Sequence, residues 1–222
     1  ECETNMTGNP SKLSRKEVKE LLVNGGCWTM LRRRPFGIAP LPTDEPKAIF
    51  VSCFNSAPLA PNYDFVMEGR NDDFLMGLNV LAKLTDGKVH LGFRKGQKLA
   101  QVVEKAPVEV HYFEGPHPAG NVGTQIAAID PIDRGEQVWA VDVQDVAIIG
   151  HLFLTGQYQP ERVMAFAGPS ANKPCYYRMI AGANIEMLCK DQFSGEVHAR
   201  IISGDVLSGQ KLDLYETSLS KD

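Results

Sequence analysis

Apolar and polar positions follow two different rhythms along this chain, and the change between them divides it. Near the amino end, Val18, Leu21 and Leu22 fall on one helical face. Ser14 followed by Glu17 is a capping box, Leu13 and Val18 can staple it, and Gly25 with Gly26 ends the helix. Ala48-Ile49-Phe50-Val51-Ser52 has the character of a buried strand. Phe74, Leu75, Leu78, Leu81 and Leu84 predict a second helix, capped by Asn71 or Asp72 and stopped at Asp86-Gly87. Residues 88–93 predict a strand, 96–105 a short helix and 108–113 a further strand. The apolar stretch 126–129 can open a helix, and 137–141 alternates as a strand. A last helix, started by Asp142 or Gln144, runs through Val146, Ile149, Leu152 and Phe153 to Gly156. Helices and strands in this alternating order predict an α/β sandwich with mostly parallel strands.

The rhythm then changes. Residues 162–169, 173–180 and 197–202 read as short strands around one helical turn at 184–188, and 203–209 is a glycine-bounded connection. This predicts a small β-rich second domain with its boundary near Gln157. The expected layout is a polar lead-in at 1–12, an α/β domain at 13–156, a β-rich domain at 157–209 and a tail at 210–222.

Composition excludes several classes. With 43% hydrophobic and 23% charged residues, the chain can bury a substantial core. Its net charge of −4 argues against a dedicated nucleic-acid partner, and the strongest basic cluster is only Arg32-Arg33-Arg34. The five cysteines are scattered without a C-x-x-C pair, which gives neither a zinc nor an iron–sulfur motif, and no metal site is expected. Free thiols fit a reducing compartment. The longest apolar run, 146–154, is interrupted by Gly150 and His151, well short of the roughly 18 residues a membrane span requires. The chain begins without methionine, which fits an internal piece of a longer protein.

The stretch 114–124 carries the densest chemistry. It follows a predicted strand and holds Gly115, Pro116, His117, Pro118, Gly120 and Gly123. Loops at the carboxyl ends of strands bind the ligands of open α/β sheets. His117 is either a proton donor or ligand contact, or a histidine bonded to backbone in a stiff turn. Asp142 and Asp145 fit helix capping better than a carboxylate pair. The glycines match neither a dinucleotide fingerprint nor a P-loop, and Ser52, Ser56 and Ser170 lack a hydrolase elbow. Met164, Met179 and Met187 fit core packing.

Several ordered segments resemble one family. They are Trp28-Thr29 with Leu31-Arg32, Arg34-Pro35-Phe36, Ala48-Ile49-Phe50-Val51, the run 115–120, Gly123-Thr124, Gln144-Asp145-Val146, the run 152–156, Ala167-Gly168-Pro169, and Ile201-Ile202-Ser203-Gly204 with the run 206–209. Together they resemble the NqrA subunit of the sodium-translocating NADH:quinone oxidoreductase. The resemblance implies a Rossmann-like α/β sandwich followed by a small β-grasp domain of the SLBB type, the layout also of the flavin-binding subunit of respiratory complex I and the RnfC subunit. It implies a peripheral subunit on the cytoplasmic face of the bacterial inner membrane, with quinone as substrate and other subunits of the complex, chiefly membrane subunits, as partners. It also implies an internal segment of a longer chain, inactive as an isolated fragment.

In the flavin-binding relatives a glycine-rich loop after the first helix cradles the FMN phosphate. The corresponding stretch here, Cys27 to Phe36, carries tryptophan, methionine, leucine and arginines instead. No FMN or covalently bound cofactor is therefore expected. The same stretch supplies the quinone candidates: Trp28, Leu31, Pro35 and Phe36 as a wall, Arg32 or Arg34 as donors, and His117 as a protonating group. The bland alternative has Trp28 and Phe36 filling the vacated pocket as core, with the arginines paired to acids. The rival functional readings are a flavin- and NADH-binding electron-entry subunit of the complex I or Rnf type, and a docking module without a redox role.

Overall fold

The computed structural model describes residues 10–184, 186–189, 192 and 199–212. The expected lead-in before Pro10, the start of the strand at 197, Cys2, the side chain of Met187 and the tail beyond Leu212 lie outside the described residues. The chain forms two compact units. One comprises the described residues up to Ser56 together with Tyr63–Gln159; the other comprises Ala57–Asn62 and the described residues from Pro160 onward.

In the first unit, α1 (Arg15–Asn24) begins at the predicted capping box: Ser14 Oγ accepts from the Glu17 amide, and Ser14 N–H donates to the Glu17 carboxylate at 2.8 Å. Gly25 ends it. A 3-10 turn at Trp28–Met30 leads into β1 (Arg32–Arg34). The run continues through β2 (Ile49–Ser52), α2 (Tyr63–Val66), α3 (Asn71–Lys83), β3 (Val89–Arg94), α4 (Leu99–Val102), β4 (Glu109–Phe113), α5 (Val122–Ile129), β5 (Val138–Asp142) and α6 (Val143–Thr155).

Two expected caps differ in outcome. Asp142 caps α6, its carboxylate accepting from Gln144 N at 2.9 Å, and Gly156 closes that helix at φ 76°, in left-handed backbone. At α3 the cap position is Arg70, without a side-chain cap bond, and Asn71 is already the first helical residue. Asp72 and Asp73 in that first turn complement the helix dipole instead. The helix expected at 96–105 contracts to the four residues of α4, which Asp64 starts by accepting from the amides of Lys98 and Leu99.

The sheet order is β1-β5-β2-β3-β4, with β5, β2, β3 and β4 parallel and β1 antiparallel at the edge beside β5. The chain steps outward from β2 to β3 to β4, then returns to the far side of β2 as β5. The order therefore reverses between β2 and β5, which is where open α/β sheets hold ligands. β1 is the element the apolar pattern does not predict. Three arginines can form a strand here because an edge position leaves polar side chains a route to solvent. Arg33 N donates to Ile38 O at 2.7 Å, and Gly37 N to Arg33 O at 2.8 Å, closing a turn over Pro35 and Phe36.

Alternate residues of β2 serve the two faces of the sheet. Phe50 and Ala48 join Val138 and Ile126 under α5, with Val122, Ile129 and Ile132 packed at the margin. Ile49 and Val51 point to the opposite face and are fully buried. The α6 sequence is apolar on nearly all sides, as a helix buried all round must be. α3 and α6 cross where Gly77 and Gly150 meet: a Cβ at Gly77 would lie 2.0 Å from Val146 O, and one at Gly150 would lie 1.7 Å from Asp73 O.

In the second unit, β6 (Glu161–Phe166) pairs antiparallel with β7 (Cys175–Ile180). A helical turn, α7 (Glu186–Cys189), follows, and β8 (Ile201–Ser203) pairs antiparallel with β9 (Gln210–Leu212). Gln210 to Leu212, read from sequence as the start of a tail, is thus a strand. Cys189 and Leu212 form a small core with Phe166, Leu188 and Ile201. The architecture is mixed α/β: a largely parallel sheet, then small antiparallel sheets.

Candidate functional site

The loop after β4, residues 114–121, reaches back across the carboxyl ends of the strands to the end of β2. Ser52, the last residue of β2, places its Oγ 2.9 Å from the carbonyls of both Phe54 and Gly120. Gln125 of α5, 1% exposed, donates from Nε2 to Ser52 Oγ at 3.0 Å and to Ala119 O at 3.3 Å. Gly120 N donates to Ser56 Oγ at 2.8 Å. A Cβ at Gly120 would stand 2.4 Å from Ser56 N, so only glycine permits this approach. Two serines and a glutamine therefore hold the loop to β2.

His117 belongs to this clamp. Its Nδ1 lies 3.1 Å from Ser56 Oγ, and that hydroxyl, having accepted from Gly120, can still donate to or accept from the imidazole. Among the described residues no carboxylate bonds to His117, so the arrangement is not a triad that would activate Ser56. Sequence spacing could not reveal Ser52 and Ser56 as partners of this loop, because they lie 61 to 73 residues from the His117, Gly120 and Gln125 groups they bond.

The structure separates the other candidates. Trp28 and Leu31 are core residues at 7% and 0% exposure. Trp28 donates from Nε1 to Pro40 O at 2.8 Å and packs edge-on to Trp139, with ring centroids 5.6 Å apart. They cannot share a wall with Phe36, which is 70% exposed. Phe36 in turn is not the core filler of the bland alternative. Arg32 donates to the carbonyls of Thr29 and Leu31 and so is spent on its own backbone. Arg33 pairs with Asp44 at 3.0 Å and lies over the Phe36 ring, 5.5 Å from its centroid.

Arg34 is different. It is half-buried, and among the described residues its guanidinium makes no hydrogen bond or ion pair. The group lies between the turn after β1 and the first turn of α5: a Cβ at Gly123 would be 3.3 Å from Nη2, and one at Gly37 would be 3.8 Å from Nη1. Arg34 therefore stands against the first turn of α5, the helix that follows the His117 loop. Beside it, Pro35 and Phe36 line an open cleft of about 480 Å³ with Arg33, Ile132, Arg134 and Gln137. At its rim Lys47 bonds Glu136 at 2.8 Å, and this, with the Asp133 amide, holds the Glu136 carboxyl below its ordinary value.

Comparison with known proteins supports a family. Residues 163–213 match the domain described as the NQRA C-terminal domain, of SLBB type. The NqrA subunit of the Na+-translocating NADH-quinone reductase of Photorhabdus laumondii is 42% identical over 203 residues, covering 91% of this chain and 45% of that protein. Its namesake in Tolumonas auensis is 42% identical over 201 residues, covering 90% and 44%. The chain thus spans a little under half the length of the curated relatives it matches. An NAD+-reducing NiFe-hydrogenase in the air-oxidized state shares the fold, with a TM-score of 0.58 at 13% identity over 88% of this chain and 44% of that one. Residues 13–158, well over half of the sequence, match the domain described as the NqrA second alpha/beta domain, and the chain accordingly belongs to the NqrA family.

Proposed function

We propose that the chain is the central part of the NqrA subunit of a Na+-translocating NADH:quinone oxidoreductase, working with the other subunits of that complex. The reading rests on the two family domains found in order and on the curated relatives. Its place is the cytoplasmic face of the membrane, as a peripheral subunit. In support, among the described residues no helix is long and apolar enough to cross a membrane. The isolated piece has no turnover of its own, and its domains divide near Gln157. It carries no flavin: Trp28, Met30 and Leu31 fill with buried side chains the stretch where flavin-binding relatives carry glycines.

The quinone contacts this part through Arg34, Pro35 and Phe36. The observation that carries this assignment is Arg34, a half-buried cation without an anionic partner among the described residues, next to two exposed apolar side chains. A quinone offers carbonyl acceptors on a flat apolar ring, which a guanidinium and an aromatic ring complement. Arginine keeps its proton, so Arg34 holds or polarises a carbonyl, while His117, on the loop that leads into α5, can move a proton. Losing one charge-assisted hydrogen bond costs about 1.5–3 kcal/mol, tenfold or more in affinity.

Arg34→Ala in the assembled complex should raise the apparent KM for quinone about tenfold or more and leave NADH oxidation by an artificial acceptor unchanged. Wild-type quinone kinetics in a correctly assembled variant would remove Arg34 from the site. A stoichiometric flavin absorbance in the purified chain would favour the electron-entry reading instead.

A further inference from the structure

We propose that His90, Glu109 and His111 form a binding site for one divalent transition-metal ion of the zinc type, on the neighbouring strands β3 and β4. β3 and β4 are parallel neighbours, and His90 stands opposite Glu109 while Gly92 stands opposite His111. Glu109 and His111 are two residues apart on one strand and so share a face. His90 lies on that face too, since its ring stacks on Phe50, 4.8 Å between centroids, and Phe50 belongs to the cluster under α5.

The three side chains converge. His90 Nδ1 is 3.1 Å from His111 Nε2 and 3.5 Å from Glu109 Oε2, and one donor atom from each residue falls within a 4.8 Å group. Zinc binds imidazole nitrogen at about 2.0–2.1 Å, and tetrahedral angles then place neighbouring donors roughly 3.3 Å apart. The two separations from His90 Nδ1 bracket that value, so an ion can enter with side-chain shifts. Two imidazoles and one carboxylate suit zinc, cobalt or nickel rather than magnesium or calcium, which prefer oxygen alone.

His90 is 6% exposed, so its side chain is held in place under α5. Lys88 Nζ sits 3.2 Å from Glu109 Oε1, which engages one carboxylate oxygen and leaves Oε2 toward the histidines. The Lys88 charge opposes a cation here, and Glu109 and Asp130 favour one. Three protein ligands leave a position for water. His90 and Glu109 stand near the amino-terminal ends of their strands and His111 is level with Gly92, which Gln125 covers, so the role of the ion is to fasten edge strand β4 to β3 beside α5.

The test uses the purified full-length chain, stripped with a chelator. Zn(II) titrated by calorimetry should bind one-to-one with a dissociation constant below about 10 µM, and Co(II) at the same site should give visible d–d absorbance. His111→Ala should weaken binding about 100-fold and abolish the absorbance, Glu109→Gln should weaken it about tenfold, and Cys175→Ser should leave it unchanged. Saturating Zn(II) should raise the Tm of the parent protein and not that of His111→Ala. Absence of one-to-one binding, or parental affinity in both Glu109→Gln and His111→Ala, would overturn the site. None of these readouts involves quinone, so failure here leaves the proposed place in the complex standing, and the reverse.

Discussion

Alanine at Gly150 sets two effects against each other at the crossing of α3 and α6. The added Cβ would stand 1.7 Å from Asp73 O and 2.6 Å from Gly77 N, whereas real Cβ contacts do not fall below 3.0 Å. The shortfall is about 1.3 Å (3.0 − 1.7), and both obstacles are backbone, so no rotamer change relieves it. The helices must part or bend, loosening the buried Phe74, Leu78, Val146 and Ile149. Alanine favours the helix by about 1 kcal/mol over glycine. Overpacking costs about 1–3 kcal/mol, and a backbone obstacle belongs at the upper end. The net loss is about 2 kcal/mol, equivalent to a Tm lower by about 4–8 °C for a protein of this size. Tryptophan fluorescence reads this unit alone, because the only two tryptophans, Trp28 and Trp139, both lie in it. The double variant Gly77→Ala, Gly150→Ala should lose less than the sum of the singles, since both force the same helices apart. A Tm at or above the parent's for Gly150→Ala would show that the crossing has slack and that the close-packing argument is wrong.

Ser14→Ala should cost about 1 kcal/mol, because the Glu17 amide loses its acceptor; an unchanged unfolding midpoint in denaturant would show the box to be idle. Glu136 is held below its ordinary value of 4.5 chiefly by the hydrogen bond from Lys47. Its folded pKa is the lower one, so its contribution is complete above about pH 4.5 and is lost as pH falls through the folded value. Thermal midpoints measured down the acid limb should therefore decline less steeply in Glu136→Gln; identical slopes in the two proteins would refute the linkage.

How far the sequence could be read depended on the range of the signal. The α1 capping box, the α6 cap at Asp142 and the apolar runs of β2 and β3 are local patterns, and each forms where its pattern lies. β1 was hidden because an edge strand of three arginines carries no apolar alternation. Trp28 and Leu31 looked like a binding wall because they adjoin Pro35 and Phe36 in sequence. The 3-10 turn and the pairing with β5 send the first two inward and leave the second two outside. The His90–Glu109–His111 group had a usable sign: two histidines and a glutamate on successive predicted parallel strands, with Glu109 and His111 in alternation. What the sequence lacked was the register that sets His90 against Glu109.

The clamp on the 114–121 loop bears on how this fold can be recombined. The loop's shape is dictated from outside itself, by Ser52 and Ser56 at the end of β2 and by Gln125 on the helix that follows. Gln125 also occupies the space over Gly92, where a Cβ would lie 2.2 Å from its Oε1, so even β3 is a party to the arrangement. A transplant of residues 114–121 alone into another parallel-sheet scaffold would arrive without its moorings. The smallest portable piece is the loop with Ser52, Ser56, Gly92 and Gln125, drawn from three separate stretches of chain, so exchange by shuffling of contiguous segments breaks it and only substitution in place can vary it.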